Sequence, residues 1–413
     1  MSGIRKSLLQ FVFSGSCMKR WNDKLRPVEL YEVDKQAHKM IVAWLLVQLN
    51  TQDLSQAERL DLNEAVIEGA IFDYFYRLVI TDIKPPVFYR IKENREHHMQ
   101  LTAWVLDELE RMVRPLDPAF WERMNAYYRR RTADSLADRI LEAAHLYASG
   151  WEFNLIKGLN PFDDEMPDID ASFRNRLAAL EDVRGVRELR AEPMDAFGKL
   201  ANFCGQLRFQ KRWSQTPRIP ETSVLGHMFV VACFGYFFSL SLGACRARRQ
   251  NDFYCGLFHD LPELLTRDII SPVKRSTERL SDLIREYEEQ ELATRIFNPL
   301  RAAGYTQVVE RLEYFLGIAT GSEFHETVRE GGVVRRVTFD ELQGSCNRDE
   351  LDPKDGQVLK VCDTLAAFIE AHSSVRNGVT SAHLQEALAR LRTDFRKVSL
   401  GPLHIGALVA DFD

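Results

Sequence analysis

The residues best suited to chemistry lie in and around the segment GLFHDLPELLTRDIISPVK (256–274). His259 and Asp260 stand side by side at the end of an apolar run, with His227 before them and Asp363 after them. Imidazole nitrogens and carboxylate oxygens together suit Mn, Fe, Co, Ni or Zn, whereas two histidines make a site for Mg or Ca alone less natural. These four side chains are therefore candidate ligands that could converge on one divalent metal ion.

Glu263 is a candidate for proton transfer beside that ion. It follows His259 by four residues, so both side chains share a face if the helix continues between them. A carboxylate beside water that a metal activates is a usual general acid or base. Pro262 would cost a helix interior one hydrogen bond, so either a helix begins there or Glu263 has another direction.

Helices must position these residues, because apolar residues recur at spacings of three and four and period-two alternation is rare. This pattern predicts an all-α fold with helices over 36–49, 97–113, 136–148, 223–241, 277–297 and 356–372. The segment REGGVVRRVTF (329–339) is an exception and predicts a small hairpin. It lies in 320–356, which we interpret as a surface insertion, with an active-site lid as the alternative.

The chain repeats itself, which indicates two tandem copies of one domain. CMKRWNDKLRPVE (17–29) is similar to FQKRWSQTPRIPE (209–221), and later segments repeat in the same order. Near residue 192 charged residues are dense, and Pro193 interrupts any helix. We therefore predict domains over 1–192 and 193–413, the second with the insertion.

Composition limits the class of protein and its partners. Of 413 residues, 45% are hydrophobic and 28% charged, which is typical of a globular protein. The formal net charge of −6 argues against a protein that binds the nucleic-acid backbone. Seven cysteines without a CxxC pair fit reduced thiols, and no apolar run reaches the roughly 20 residues of a membrane span. We expect a cytoplasmic protein that binds neither nucleic acid nor membrane, with 229–245 as a buried core helix.

The pattern H…HD…D resembles the HD-domain superfamily of metal-dependent phosphohydrolases. More narrowly, HDLPELLTRDIISPVK resembles the bacterial 5′-deoxynucleotidase branch, whose signature is HD-x-x-E-x-x-T-x-D-x-x-x-P-V-K. Every fixed position of the signature is met, and the pair Arg212-Trp213 precedes His227 by the branch's spacing. The similarity covers about residues 198–390, apart from the insertion, and implies an all-helical fold. Together with the internal repeat it predicts two tandem HD-type helical bundles.

The resemblance also implies roles for individual residues around the four metal ligands. Arg212 would bind the phosphate, which suits a planar guanidinium. Glu263 would assist proton transfer, and Asp268 would help to place the substrate or water. Trp213 would pack near the sugar or base, or only in the core. Lys274 would act electrostatically, or lie on the surface as an ordinary solvated residue.

The function that this resemblance implies is hydrolysis of nucleoside 5′-monophosphates, foremost deoxyribonucleotides, with Mn, Co, Ni, Fe or Zn preferred to Mg. The first alternative is another reaction of the superfamily, on a nucleoside triphosphate, a cyclic nucleotide or an alarmone. The second is a nucleotide-sensing regulator with little turnover. The branch usually has a polar residue before its first histidine, whereas this chain has LGHM, a departure that bears on substrate choice.

The first copy has lost part of this set. By sequence similarity His38, Asp73 and Asp138 match ligand positions, but Phe72 replaces a histidine and Tyr76 replaces the glutamate. We therefore expect no hydrolysis there. Members of the resembled family dimerise, so the first copy would supply that partner as an internal pseudo-dimer, and a homo-oligomer is a further option. A regulatory nucleotide pocket is the alternative role.

Overall fold

The computed structural model describes residues 3–267 and 277–412, and within them the fold is all-α apart from two short hairpins, as predicted. The first half contains α1 (Lys6–Ser14), α2 (Glu32–Asn50), α3 (Gln56–Ile80), α4 (Pro85–Glu93), α5 (Arg95–Val113), α6 (Pro118–Arg129), α7 (Leu136–Ile156), α8 (Met166–Ala178) and α9 (Val186–Arg190). The second half contains α10 (Ala196–Cys204), α11 (Val224–Ser241), α12 (Arg246–Phe258), α13 (Glu263–Thr266), α14 (Glu278–Leu292), α15 (Asn298–Ala302), α16 (Thr306–Phe315), α17 (Phe339–Gln343), α18 (Gly356–Arg376), α19 (Ala382–Phe395) and α20 (Ile405–Ala410). All six predicted helical segments lie in helices.

Helices α2 and α11 form the centre of the molecule. Both are buried around nearly their whole circumference, which is the pattern of a core helix rather than of an amphipathic surface helix. Helix α11 is long and apolar enough to cross a membrane, yet 89% of that window is buried inside the protein. The predicted core helix is therefore confirmed, although it ends at Ser241 rather than at residue 245.

The two halves share one hydrophobic core. Helix α2 packs on α11, while α1 packs on α11 and α10 packs on α2, so each N-terminal helix contacts the central helix of the other half. Trp44 of α2 is fully buried, with its ring centroid 4.7 Å from that of Phe258. The Tyr74 hydroxyl donates to the Val12 carbonyl at 2.6 Å, and its ring meets Phe229 edge-on.

The predicted hairpin is confirmed in the insertion. Strands β1 (Thr327–Glu330) and β2 (Val333–Arg336) pair antiparallel, and Gly331 and Gly332 form the turn with positive φ. A small apolar cluster of its own stabilises this region. The second hairpin, β3 (Ser399–Leu400) with β4 (Leu403–His404), lies near the C-terminal helix.

Candidate metal centre

Three helices bring the predicted ligands together. His227 lies in the first turn of α11, where the Ser223 hydroxyl accepts the Gly226 amide at 2.9 Å and caps the helix. His259 and Asp260 follow directly after the last residue of α12. Asp363 projects from the second turn of α18.

His227, His259 and Asp363 offer ligand atoms that all lie within 4.8 Å of one another, and Asp260 lies beside them. His227 Nε2 lies 3.0 Å from Asp363 Oδ1 and 3.9 Å from Asp260 Oδ2. His259 Nε2 lies 3.3 Å from Asp260 Oδ2 and 4.0 Å from Asp363 Oδ1. The imidazoles are buried, whereas the Asp260 and Asp363 side chains are 18% and 30% exposed. The cluster therefore opens to solvent on its carboxylate side.

This donor set fits a divalent cation. His259 Nδ1 donates to the Gly256 carbonyl at 2.9 Å, so in the neutral ring Nε2 carries a lone pair directed at the carboxylates. Nε2 is buried and lies 3.3 Å from Asp260 Oδ2. Lone pairs of imidazole and carboxylate that face one another are mutually repulsive unless a cation lies between them.

The electrostatics of the cluster support the same conclusion. Burial opposes a charged His259 imidazole, but Asp260 and Asp363 outweigh burial and raise its pKa to about 9. Burial opposes the charged form of Asp260 too, yet His259 and Arg212 hold its pKa well below the ordinary value. The site therefore attracts positive charge strongly.

Arg212 and Trp213 lie beside the ligands, in the segment between α10 and α11. Arg212 Nη1 is 3.3 Å from Asp260 Oδ2, and Arg212 Nε is 3.3 Å from Glu370 Oε1. The Trp213 indole donates to Glu370 Oε2 at 2.8 Å. Trp213 has a positive φ of 58°, which turns the chain sharply so that both side chains reach the site.

Glu370 is the functional residue that sequence reasoning missed. It is buried on α18, seven residues after Asp363, so both carboxyl groups point from the same helix face. Its Oε1 also accepts from Thr222 at 3.0 Å and lies 3.5 Å from His227 Nδ1. A carboxylate behind a ligand histidine orients the ring and raises its basicity. The seven-residue spacing from Asp363 is the feature of the sequence that could have indicated it, because this spacing places both side chains on one helix face.

Glu263 begins the short helix α13 directly after Pro262. Because the helix starts there, the backbone hydrogen bond that a proline cannot donate is not required. Its side chain is buried, and its charge contributes to raising the pKa of Arg212 against burial.

Glu323, at the start of the insertion, is close enough to His259 and Asp260 for their charges to affect its pKa, which burial raises. Two predicted residues, Asp268 and Lys274, lie outside the described residues.

The first half does not keep the ligands that sequence similarity assigned to it. His38 Nε2 bonds to the Ala201 carbonyl at 2.8 Å and its Nδ1 lies 3.3 Å from Arg208, so it faces α10 rather than a pocket. Asp138 caps α7, where its Oδ2 accepts from the Ser135 hydroxyl at 2.7 Å. Both assignments are wrong, because other groups of the protein hold both side chains.

Comparison with known proteins agrees with the chemistry of the second half. Residues 204–392 match the family model of the HD domain, a family whose members are generally metal-dependent phosphohydrolases. The matched segment contains every residue of the cluster described above. No curated protein and no solved structure matches the chain. The match supports membership of this segment in the HD-domain superfamily.

Proposed function

We propose that the second half is a metal-dependent phosphomonoesterase that releases phosphate from nucleoside 5′-monophosphates, foremost deoxyribonucleotides. The observation that carries this proposal is the cluster of His227, His259 and Asp363, with Asp260 beside both imidazoles and 3.3 Å from Arg212. A divalent ion held there would neutralise phosphoryl charge and make water nucleophilic at neutral pH. Mn, Co, Ni, Fe or Zn suits these ligands better than Mg.

The protein's own side chains would orient the substrate. The Arg212 guanidinium, only 13% exposed and held by Glu370 from behind, would donate to two phosphoryl oxygens and stabilise their charge as the ester bond breaks. Glu263 would transfer the proton, and Asp268 would place the substrate or water. Trp213 is fixed by its bond to Glu370, which supports a role in the pocket wall near the sugar. Lys274 would add positive charge.

We propose further that residues 1–192 and 193–413 are tandem copies of one domain, which pack as an internal pseudo-dimer in the cytoplasm. The reciprocal contacts of α1 and α10 support this arrangement. The two tryptophans support it too. Trp21 and Trp213 both have a φ near 58°, and the indole of each donates to a glutamate of the facing helix.

The test is phosphate release from the full chain after its metals are removed and Mn, Co, Ni, Zn or Mg is restored singly. The substrates are ribo- and deoxynucleoside mono- and triphosphates, with a cyclic nucleotide and an alarmone as further members. The expected result is metal-dependent release from monophosphates that is lost in Asp260→Ala and kept in Asp394→Ala, an exposed control on α19. Pyrophosphate or triphosphate as product would refute the substrate class. Tight nucleotide binding without turnover would refute the enzyme and favour a sensor.

A further inference from the structure

The segment that carries Arg212 and Trp213 is a closed loop between α10 and α11. An isolated bridge joins Lys211 to Ser223, and the Arg212 amide donates to the Thr222 carbonyl at 2.9 Å, so the two ends of the loop lie side by side. Groups of the first half of the chain hold both ends. Whatever holds the loop therefore also sets where Arg212 lies relative to the candidate ligands.

Asp34 of α2 holds the end of the loop that leads into α11. The Ser223 hydroxyl donates to Asp34 Oδ1 at 2.6 Å, and its oxygen accepts from the Gly226 amide at 2.9 Å as the helix cap. Both side chains are buried. Asp34 thus fixes the direction of the Ser223 hydroxyl and, through it, the first turn of α11, in which His227 lies.

The packing at Gly226 shows how close this contact between the two halves is. A Cβ atom at Gly226 would lie 2.6 Å from Asp34 Oδ1 and 2.7 Å from Val33 Cγ1, and both distances are too short for a real contact. Glycine therefore permits α2 to approach α11 this closely. This is a physical reason for the glycine that precedes His227 in LGHM, where the resembled branch usually has a polar residue.

Arg208 holds the other end of the loop, four residues before Arg212. Its guanidinium donates to Glu152 Oε1 of α7 at 2.7 Å, lies 3.3 Å from His38 Nδ1 and covers the Trp151 ring at 4.6 Å. Arg208 and Glu152 are both buried, and removing one partner of a buried ion pair is costly because the other charge is left uncompensated. This pair therefore fixes the start of the loop to the first half.

We propose that the first half positions the metal centre of the second half, through Asp34 at one end of the loop and Glu152 at the other. Asp34 would set His227 for the metal ion, and Glu152, acting on Arg208, would set Arg212 for the substrate. The first half then has a role that needs no ligand of its own. The metal-binding part of this inference rests only on the candidate metal centre, whereas the substrate-binding part rests on the proposed function.

The first test is calorimetric titration of the metal-stripped full chain with Mn²⁺. Asp34→Ala should bind Mn²⁺ at least about 5-fold more weakly than the wild type, the factor that corresponds to the loss of a typical helix cap. Asp34→Asn should stay within about twofold of the wild type, since its amide oxygen still accepts from Ser223. The matched control is Ser381→Ala, which removes the cap of α19, a helix without a candidate ligand, and should leave the affinity unchanged.

A double variant separates the contact from a general loss of stability. Ser223→Ala should weaken Mn²⁺ binding, and adding Asp34→Ala should weaken it no further, because both changes break the same chain of contacts. Losses that add in the double variant, or wild-type affinity in Asp34→Ala, would overturn the proposal. If Asp34→Ala does not fold by circular dichroism, wild-type affinity in Ser223→Ala would overturn it instead.

The second test measures the KM of a deoxynucleoside monophosphate in Arg208→Met, a change that leaves Glu152 paired with Arg20. KM should rise at least about 10-fold at unchanged Mn²⁺ affinity, since misplacing a binding group by about 1 Å can cost about 100-fold. The exposed control Arg390→Met on α19 should match the wild type, and an unchanged KM in Arg208→Met would contradict the role of Glu152. A wild type that binds Mn²⁺ but releases no phosphate would refute the proposed function alone, because the Asp34 titrations still decide this proposal.

Discussion

Glu370 provides the sharpest test of how this site is built. In Glu370→Gln the side chain keeps its shape and one acceptor oxygen, but it loses the charge that faces Arg212 at 3.3 Å and His227 Nδ1 at 3.5 Å. Loss of a carboxylate behind a ligand histidine costs about 10- to 100-fold in metal affinity or activity. That range corresponds to about 1.4–2.7 kcal/mol of binding free energy.

The assay is a titration of metal-stripped wild type and variant with Mn²⁺ and Zn²⁺ by calorimetry, with phosphate release measured in parallel. Glu386→Gln, an exposed change on α19, is the matched control and should leave both measurements unchanged. Unfolding midpoints of the metal-free proteins separate a local effect from a loss of fold. If Glu370→Gln retains wild-type metal affinity and activity, the carboxylate does not orient the site and the reasoning is refuted.

Three further changes test the ligands, the core and a buried carboxyl group. His259→Phe should lower metal-dependent phosphate release by at least about 100-fold, since it removes a ligand itself; release within a few fold of wild type would exclude His259 as a ligand. Trp44→Ala should lower the free energy of unfolding by about 3–5 kcal/mol in a urea titration, because a fully buried ring against Phe258 is lost; a loss below about 1 kcal/mol would contradict the shared core. Burial raises the pKa of Asp34 to about 6. Because the buried carboxyl group is stable when protonated, the free energy of unfolding of the wild type falls as the pH rises from about 4 to 6. Asp34→Asn lacks this loss, so its free energy of unfolding should rise relative to the wild type by up to about 3 kcal/mol over that range. Unfolding free energies at pH 4.5 and 7.5 check this, and a difference independent of pH would refute it.

The sequence alone determined the fold class, and it singled out residues that the structure brings together. Spacings of three and four fix helices because they place apolar side chains on one face, whatever the neighbours of that helix are. His227, His259, Asp260 and Asp363 could be selected as candidates because metal chemistry restricts ligands to a few residue types. Pro262 left two alternatives open, a helix start or another direction for Glu263, and the structure shows the helix start.

The tertiary structure decided what each residue faces. In the sequence Glu370 cannot be told from a glutamate on the surface. Only the packing of α18 against the segment at Trp213 brings its carboxylate next to the candidate ligands. His38 matched His227 by letter, yet its Nε2 bonds to the Ala201 carbonyl at 2.8 Å, whereas His227 faces Asp363 at 3.0 Å. What a side chain faces is set by helix register and by the neighbouring helices, which pairwise residue similarity does not contain.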